Sequence, residues 1–146
     1  MVPENEVILM DSLSSIYEFT TGNLRDFYNG QHLTNSNPKD YYIMILSKKK
    51  TCSVASKDLI CFENTMMNRN LLKVNLVYRK TIKICAMTAH LESTKEFAVQ
   101  RMAQLKKCFA HLKDQDEKSV CFFGGDLNIR DSEVNKLKLK YDLILK

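Results

Sequence analysis

The sequence predicts an α/β fold in which helices cover β-sheets, and three observations carry that expectation. Val120 to Phe123 is an unbroken apolar run followed by Gly124 and Gly125, the pattern of a strand covered on both faces. Leu71 to Tyr78 shows partial period-two alternation, and Arg79-Lys80 turns the chain into a second strand from Thr81, so the two form a hairpin. Before the apolar run, Ala98, Met102, Leu105, Phe109 and Leu112 recur at helical spacing, with Lys106, Lys107 and Lys113 outside that stripe. Strands, a helix, a strand and a short helix in this order suit stacked layers of sheet and helix.

The other elements follow in chain order. Apolar positions recur from Val7 to Phe19, and Asp11-Ser12-Leu13-Ser14 is a pattern that opens a short helix. Residues 20–40 are rich in Gly, Asn, Ser and Pro and read as a surface loop. His32 within it reads as a solvated histidine, since no partner stands at ligand spacing. Tyr41 to Ser47 reads as a buried strand and Lys48-Lys49-Lys50 as its solvated turn. Thr51 to Phe62 alternates irregularly and is expected to pair with its neighbour. Ser93-Thr94-Lys95-Glu96 is a capping-box pattern, which predicts a helix from about Thr94 to Leu112 with His111 on its surface. Asp114 to Lys118 is a polar turn, Asp131-Ser132-Glu133 opens another short helix, and residues 141–145 are apolar again.

Composition bounds the function classes. With 146 residues, 45% hydrophobic and 27% charged, the chain reads as one domain's worth of a soluble globular protein. No apolar run approaches the roughly 18 residues that span a bilayer, and no secretory signal is visible, so a membrane partner is not expected. Five cysteines without a Cys-x-x-Cys pair read as free thiols of a reducing compartment rather than a zinc site. A net charge of +5 is compatible with a nucleic-acid partner. Nothing in the sequence sets an oligomeric state.

The candidate chemistry sits beyond the glycines. Asp126, Asn128 and Arg130 recur at every second position, so extended backbone would put all three on one face. A carboxylate that only accepts, an amide that donates and accepts, and a fixed cation make a set suited to a phosphate and an attacking water. The same residues also fit a polar strand-to-loop turn.

A second stretch, Thr88-Ala89-His90-Leu91-Glu92-Ser93-Thr94, narrows the reading. Together with Gly124-Gly125-Asp126-Leu127-Asn128-Ile129-Arg130-Asp131 it resembles the endonuclease/exonuclease/phosphatase family, and within it the 5′-tyrosyl-DNA phosphodiesterases. The likeness extends through Met66 to Leu72 and Gln100 to Leu105 and, more loosely, from about Glu6 to Tyr141. It implies a partial four-layer α/β sandwich of that type, with residues 1–146 as a single, incomplete domain. A whole sandwich would run to roughly 200–250 residues. The implied activity is Mg²⁺-dependent hydrolysis, with Mn²⁺ as a substitute, of the bond between a topoisomerase tyrosine and a DNA 5′ phosphate in DNA repair. The implied partner is a single-stranded DNA 5′ end carrying that adduct, in the nucleus or cytoplasm.

The resemblance also assigns roles to matching residues. Asp126 matches the aspartate that positions and deprotonates water, Asn128 the asparagine that orients it, and His90 the histidine that bonds a phosphate oxygen. Ser93 and Arg130 match groups that hold the 5′ end, and Arg69 and Arg101 match positions of structural support beneath the site. Glu92 and Asp131 read as caps or scaffold carboxylates. The family's metal-binding glutamate, first-strand asparagine and C-terminal aspartate-histidine pair have no counterpart here, and Leu127 replaces a small polar residue. No metal ligand is therefore identified in this chain, which is expected to be weak or inactive alone. Two alternatives stand beside that reading: a catalytically dead fragment that at most binds nucleic acid, and a relative acting on RNA, an inositol phosphate or a phospholipid.

Overall fold

The computed structural model describes residues 16–21 and 43–141. The readings made above for residues 1–15, 22–42 and 142–146, including the short helix at Asp11, the loop with His32 and the apolar terminus, lie outside the described residues.

The described elements are β1 (Tyr17–Thr21), β2 (Met44–Lys48), β3 (Cys52–Cys61), β4 (Asn70–Tyr78), β5 (Ile82–His90), α1 (Ala98–Lys113), β6 (Val120–Asp126) and α2 (Asp131–Tyr141). β1 and β2 form an antiparallel pair, and the larger sheet has the order β3-β4-β5-β6. Its first three strands are antiparallel, while β6 returns parallel to β5 after the crossover through α1. The irregular alternation of Thr51 to Phe62 has a cause: β3 slips register between Val54 and Ser56, so its inward face changes there. The β4–β5 hairpin turns through Arg79 and Lys80, both at positive φ, as the sequence placed it.

β4 is the strand buried on both faces. On one side Leu71 joins Cys85, Met87 and Ala89 of β5 against Leu105 and Cys108 of α1. Phe109 meets Phe123 edge to face, with ring centroids 6.0 Å apart. On the other side Leu72, Val74 and Leu76 pack with Ile43 and Ile45 around β2, and with Val54, Ile84 and Ala86. Helix, sheet and second sheet are thus stacked, the layering of an α/β sandwich. Burial pushes the Cys108 thiol up to about 12 and raises that of Cys85, so both serve as small apolar core residues.

Two expectations are corrected. The apolar run of β6 is not covered on both faces among the described residues: Cys121 and Phe123 enter the core, whereas Val120 is 47% and Phe122 58% exposed. β6 lies at the end of the described sheet, and only its helix-facing side is packed. The helix also starts later than its capping-box pattern implied, at Ala98 with Phe97 as N-cap and no side-chain cap bond. Arg101 takes the Thr94 carbonyl oxygen at 2.7 Å, and the Ala98 N–H that a helix from Thr94 would send there bonds the Lys95 carbonyl instead, at 3.3 Å. Among the described residues, no helix is long and apolar enough to cross a membrane.

Candidate active site

The candidate site lies where β5 and β6 end side by side. Parallel pairing carries Cys85 opposite Cys121 and, five residues on, His90 opposite Asp126. Residues separated by 36 positions in sequence thereby share one sheet end. That close approach needs a glycine. Gly125 has φ +148°, and a Cβ there would overlap the Ala89 carbonyl oxygen. No such demand falls on Gly124, whose Cβ position is open.

His90 is held from behind. The Arg69 guanidinium Nη1 stands 2.9 Å from His90 Nδ1. A guanidinium can only donate, so Nδ1 accepts and the ring proton of the neutral tautomer sits on Nε2. Nε2 faces Asp126 Oδ2 at 3.6 Å. Burial pushes the His90 pKa below the ordinary histidine value, and the Arg69 charge adds to that; Asp126 and Glu92 oppose it without prevailing. The group facing Asp126 is therefore a neutral N–H donor near pH 7.

Asp126 ends β6, with its side chain 65% exposed. Asn128 departs from the extended alternation inferred from sequence, because it adopts φ +50°. The segment after β6 is bent rather than extended. Asn128 donates its backbone N–H to Asp126 Oδ1 at 3.3 Å and its side-chain amide to the Leu91 carbonyl at 3.2 Å. It thus braces Asp126 through the main chain and ties it to β5 through the side chain. Arg130 donates from Nη2 to the Ser93 carbonyl at 3.3 Å, and the Ser93 hydroxyl lies 3.4 Å from Met67 Sδ. His90, Asp126, Asn128, Ser93, Arg130 and Arg69 are all brought to this end of the sheet; Arg101 lies in the core beneath it, 0% exposed.

Glu92 is a buried anchor, as its reading as a scaffold carboxylate anticipated. Its Oε1 accepts from the Thr65 hydroxyl at 2.8 Å and from the Met66 and Met67 N–H groups at 2.7 and 3.2 Å. Burial alone would raise its pKa, but those bonds and the Gln104 amide outweigh it, and the net shift is downward. Thr65 in turn accepts the Arg69 N–H at 2.7 Å, so Glu92 fixes the loop that delivers Arg69 to His90. Asp131 lies exposed in the first turn of α2.

Two residues that the sequence reading missed complete the scaffold. Gln104 is 1% exposed and accepts the Glu92 N–H at 3.1 Å. Glu133 is 6% exposed and binds Arg101 through both carboxylate oxygens. For Gln104 the available signal was helical phase, since Arg101, Gln104, Leu105, Cys108 and Leu112 form a stripe as regular as the all-apolar one; Glu133 lies on α2, outside that stripe.

For a divalent cation the described donors do not suffice. Among the described residues, no group of three or more His, Cys, Asp or Glu side chains stands together as a metal set. Glu92 spends Oε1 on the 65–67 loop, which leaves Asp126 as the exposed carboxylate beside His90.

Comparison with known proteins shows what the chain as a whole is similar to. No family model matches the chain. It is 38% identical over 104 residues to tyrosyl-DNA phosphodiesterase 2 of Mus musculus, covering 71% of this chain and 28% of that protein. To the same protein of Homo sapiens it is 35% identical over 123 residues, covering 84% and 30%. The chain thus spans less than a third of the length of these relatives. Among solved structures, D. rerio TDP2 complexed with single-strand DNA product superposes with a TM-score of 0.75 at 28% identity, over 94% of this chain and 48% of that one. TDP2 from C. elegans gives 0.73 at 31% identity, over 90% and 37%. The human Nocturnin catalytic domain, at 16% identity and a TM-score of 0.68, over 92% of this chain and 51% of that one, shares the fold.

Proposed function

Because the chain belongs to the endonuclease/exonuclease/phosphatase family, in its tyrosyl-DNA phosphodiesterase branch, we propose that it serves DNA repair as a hydrolase of the phosphodiester between a tyrosine and a DNA 5′ end. The observation that carries the reading is the parallel register that sets His90 against Asp126, with Arg69 fixing the imidazole from behind. Such a pair can divide the work of hydrolysis. The exposed Asp126 carboxylate accepts the proton of an attacking water, a task that needs an acceptor within hydrogen-bond reach. Asn128 holds that carboxylate by its backbone N–H. The Nε2–H of neutral His90, on the same side, donates to a phosphate oxygen as charge builds on it. Water oxygen bonds to phosphorus, the tyrosine oxygen leaves, and a 5′ phosphate and a free tyrosine result.

Ser93 and Arg130 are proposed to hold the 5′ end, where a guanidinium matches phosphate geometry. The substrate is then a single-stranded DNA 5′ end carrying a topoisomerase tyrosine, and the setting the nucleus, or the cytoplasm. DNA is favoured over RNA or a lipid phosphate because the curated relatives are tyrosyl-DNA phosphodiesterases and one solved relative is complexed with single-strand DNA product.

Mg²⁺, with Mn²⁺ as a substitute, is the proposed cofactor, yet the described donors do not complete a site for it. For that reason these 146 residues assayed alone are proposed to turn over slowly. The test is release of a 5′-tyrosyl group from a short single-stranded oligonucleotide, with Mg²⁺ and with chelator. Slow release is expected; rapid, chelator-sensitive multiple turnover would overturn the conclusion that the described donors leave an ion without its oxygen ligands.

A further inference from the structure

The face of α1 turned toward the site buries an arginine where an apolar residue would serve packing better. Arg101 is 0% exposed and bonds two segments outside its helix, residues 92–94 and the start of α2. Its Nη1 donates to the carbonyls of Glu92 and Thr94, the two neighbours of Ser93. Its Nε and Nη2 donate to the Glu133 carboxylate at 3.2 and 2.5 Å. Glu133 Oε2 also accepts the Arg130 N–H at 2.9 Å, the carboxylate half of a cap at the start of α2. The circuit closes where Arg130 Nη2 reaches the Ser93 carbonyl.

Stability alone does not account for this arrangement. Taking an ion pair out of water is costly, and a well-packed apolar replacement is often no less stable. What the fork of a guanidinium supplies is geometry: fixed donors that set the spacing of whatever they hold. Here it holds the backbone on both sides of Ser93 and, through Glu133, the backbone of Arg130.

We propose that Arg101, acting with Glu133, is a positioning residue that sets the separation and direction of Ser93 and Arg130, and thereby the protein's preference for a 5′-terminal phosphate on single-stranded DNA. This rests on the reading of Ser93 and Arg130 given above. Arg101 cannot touch a ligand itself, being fully enclosed, so its effect must pass through Arg130 and Ser93.

The test uses the 146-residue chain and fluorescence anisotropy with a single-stranded oligonucleotide carrying either a 5′ phosphate or a 5′ hydroxyl. Arg101→Lys keeps the charge and loses the fork; Glu133→Gln keeps the shape and loses the charge. Each is expected to reduce the 5′-phosphate preference by about fivefold or more, the scale of one weakened charge-assisted hydrogen bond. Cys108→Ala, on the same helix and 0% exposed but outside the circuit, is expected to lower the melting temperature and leave the preference unchanged. In an Arg130→Ala background, adding Arg101→Lys should cost less than about twofold more, since coupled residues are not additive. If Arg101→Lys does not fold, Glu133→Gln carries the test. A preference lost in Arg130→Ala but kept in folded Arg101→Lys or Glu133→Gln would overturn the positioning role alone, as would fully additive losses. No preference in the unmutated chain, with Arg130→Ala silent, would overturn the reading of the 5′-end grip and the positioning role with it.

Discussion

Replacing Glu92 with glutamine should be among the most damaging isosteric changes in the described chain. The carboxylate is 0% exposed, and Oε1 accepts three bonds within 3.2 Å, from the Thr65 hydroxyl and the Met66 and Met67 N–H groups, beside a longer one from the Gln104 amide at 3.5 Å. A hydrogen bond to a charged group contributes about 1.5–3 kcal/mol and a neutral one about 0.5–1.5, so neutralising the acceptor weakens three bonds by roughly 1 kcal/mol each. The new amide also places a donor where Oε2 has no hydrogen-bond partner among the described residues. An unsatisfied buried donor adds a cost of about 1–3 kcal/mol, giving roughly 4–6 kcal/mol in total. Since small domains are stable by about 5–15 kcal/mol, urea denaturation at pH 7 resolves such a loss easily. Acid provides a second reading. The Glu92 pKa is lower folded than unfolded, so its stabilisation is complete above the ordinary glutamate range and is lost as pH falls through the folded value. The gap between Glu92→Gln and the unmutated chain should therefore narrow below about pH 4. A difference under about 1 kcal/mol at pH 7, or a gap unchanged between pH 7 and 3, would refute Glu92 as the ionised anchor of the 65–69 loop.

Gly125→Ala should cost about 3 kcal/mol or more or prevent folding, because its Cβ meets the Ala89 carbonyl at a φ that L side chains rarely adopt; thermal melting within about 2 °C of the unmutated chain would contradict this. NMR titration should find His90 titrating below the ordinary histidine value with its neutral-form proton on Nε2, and Asp126→Asn should lower the value further, since the aspartate charge raises it. The folded state then binds fewer protons than the unfolded one near pH 6, so the His90 contribution favours the fold above that range and declines as acid is added; a His90 pKa above about 6.5 would contradict both statements. Arg130→Ala should weaken binding of single-stranded 5′ ends and flatten its salt dependence by about one counterion, and an unchanged slope would assign Arg130 to the scaffold.

Much of this architecture is legible in the chain because local pattern and packing agree there. The β4–β5 hairpin, the helix around Leu105 and the turn into β6 all follow from periodicity that the tertiary structure reinforces. The motif residues His90 and Asp126 are also visible, but their adjacency is not, since it depends on a parallel register set by the α1 crossover. Where local signals compete with distant ones, the sequence misleads. The capping box at Ser93 loses to Arg101, which claims the Thr94 carbonyl from within the core. The every-second-residue pattern from Asp126 to Arg130 suggests extended backbone, whereas Asn128 turns left-handed to bond Asp126 and Leu91. The apolar run of β6 looks symmetrical, yet only Cys121 and Phe123 find partners among the described residues. Buried polar residues such as Gln104 and Glu133 are the hardest to foresee, because their burial is set by partners far along the chain.

The measurement that bears most directly on the central claim is single-turnover release of tyrosine from a 5′-tyrosyl single-stranded oligonucleotide, with the chain in excess so that slow chemistry is visible. Asp126→Asn is nearly isosteric, removes the proton acceptor and leaves Ser93 and Arg130 in place. Its release rate is expected to fall by roughly 10²–10⁴-fold, the range for a lost acid or base, while oligonucleotide affinity stays within a factor of about three. A release rate within about threefold of the unmutated chain would show that Asp126 is not the base and that the β5–β6 junction is not where the phosphodiester is cut.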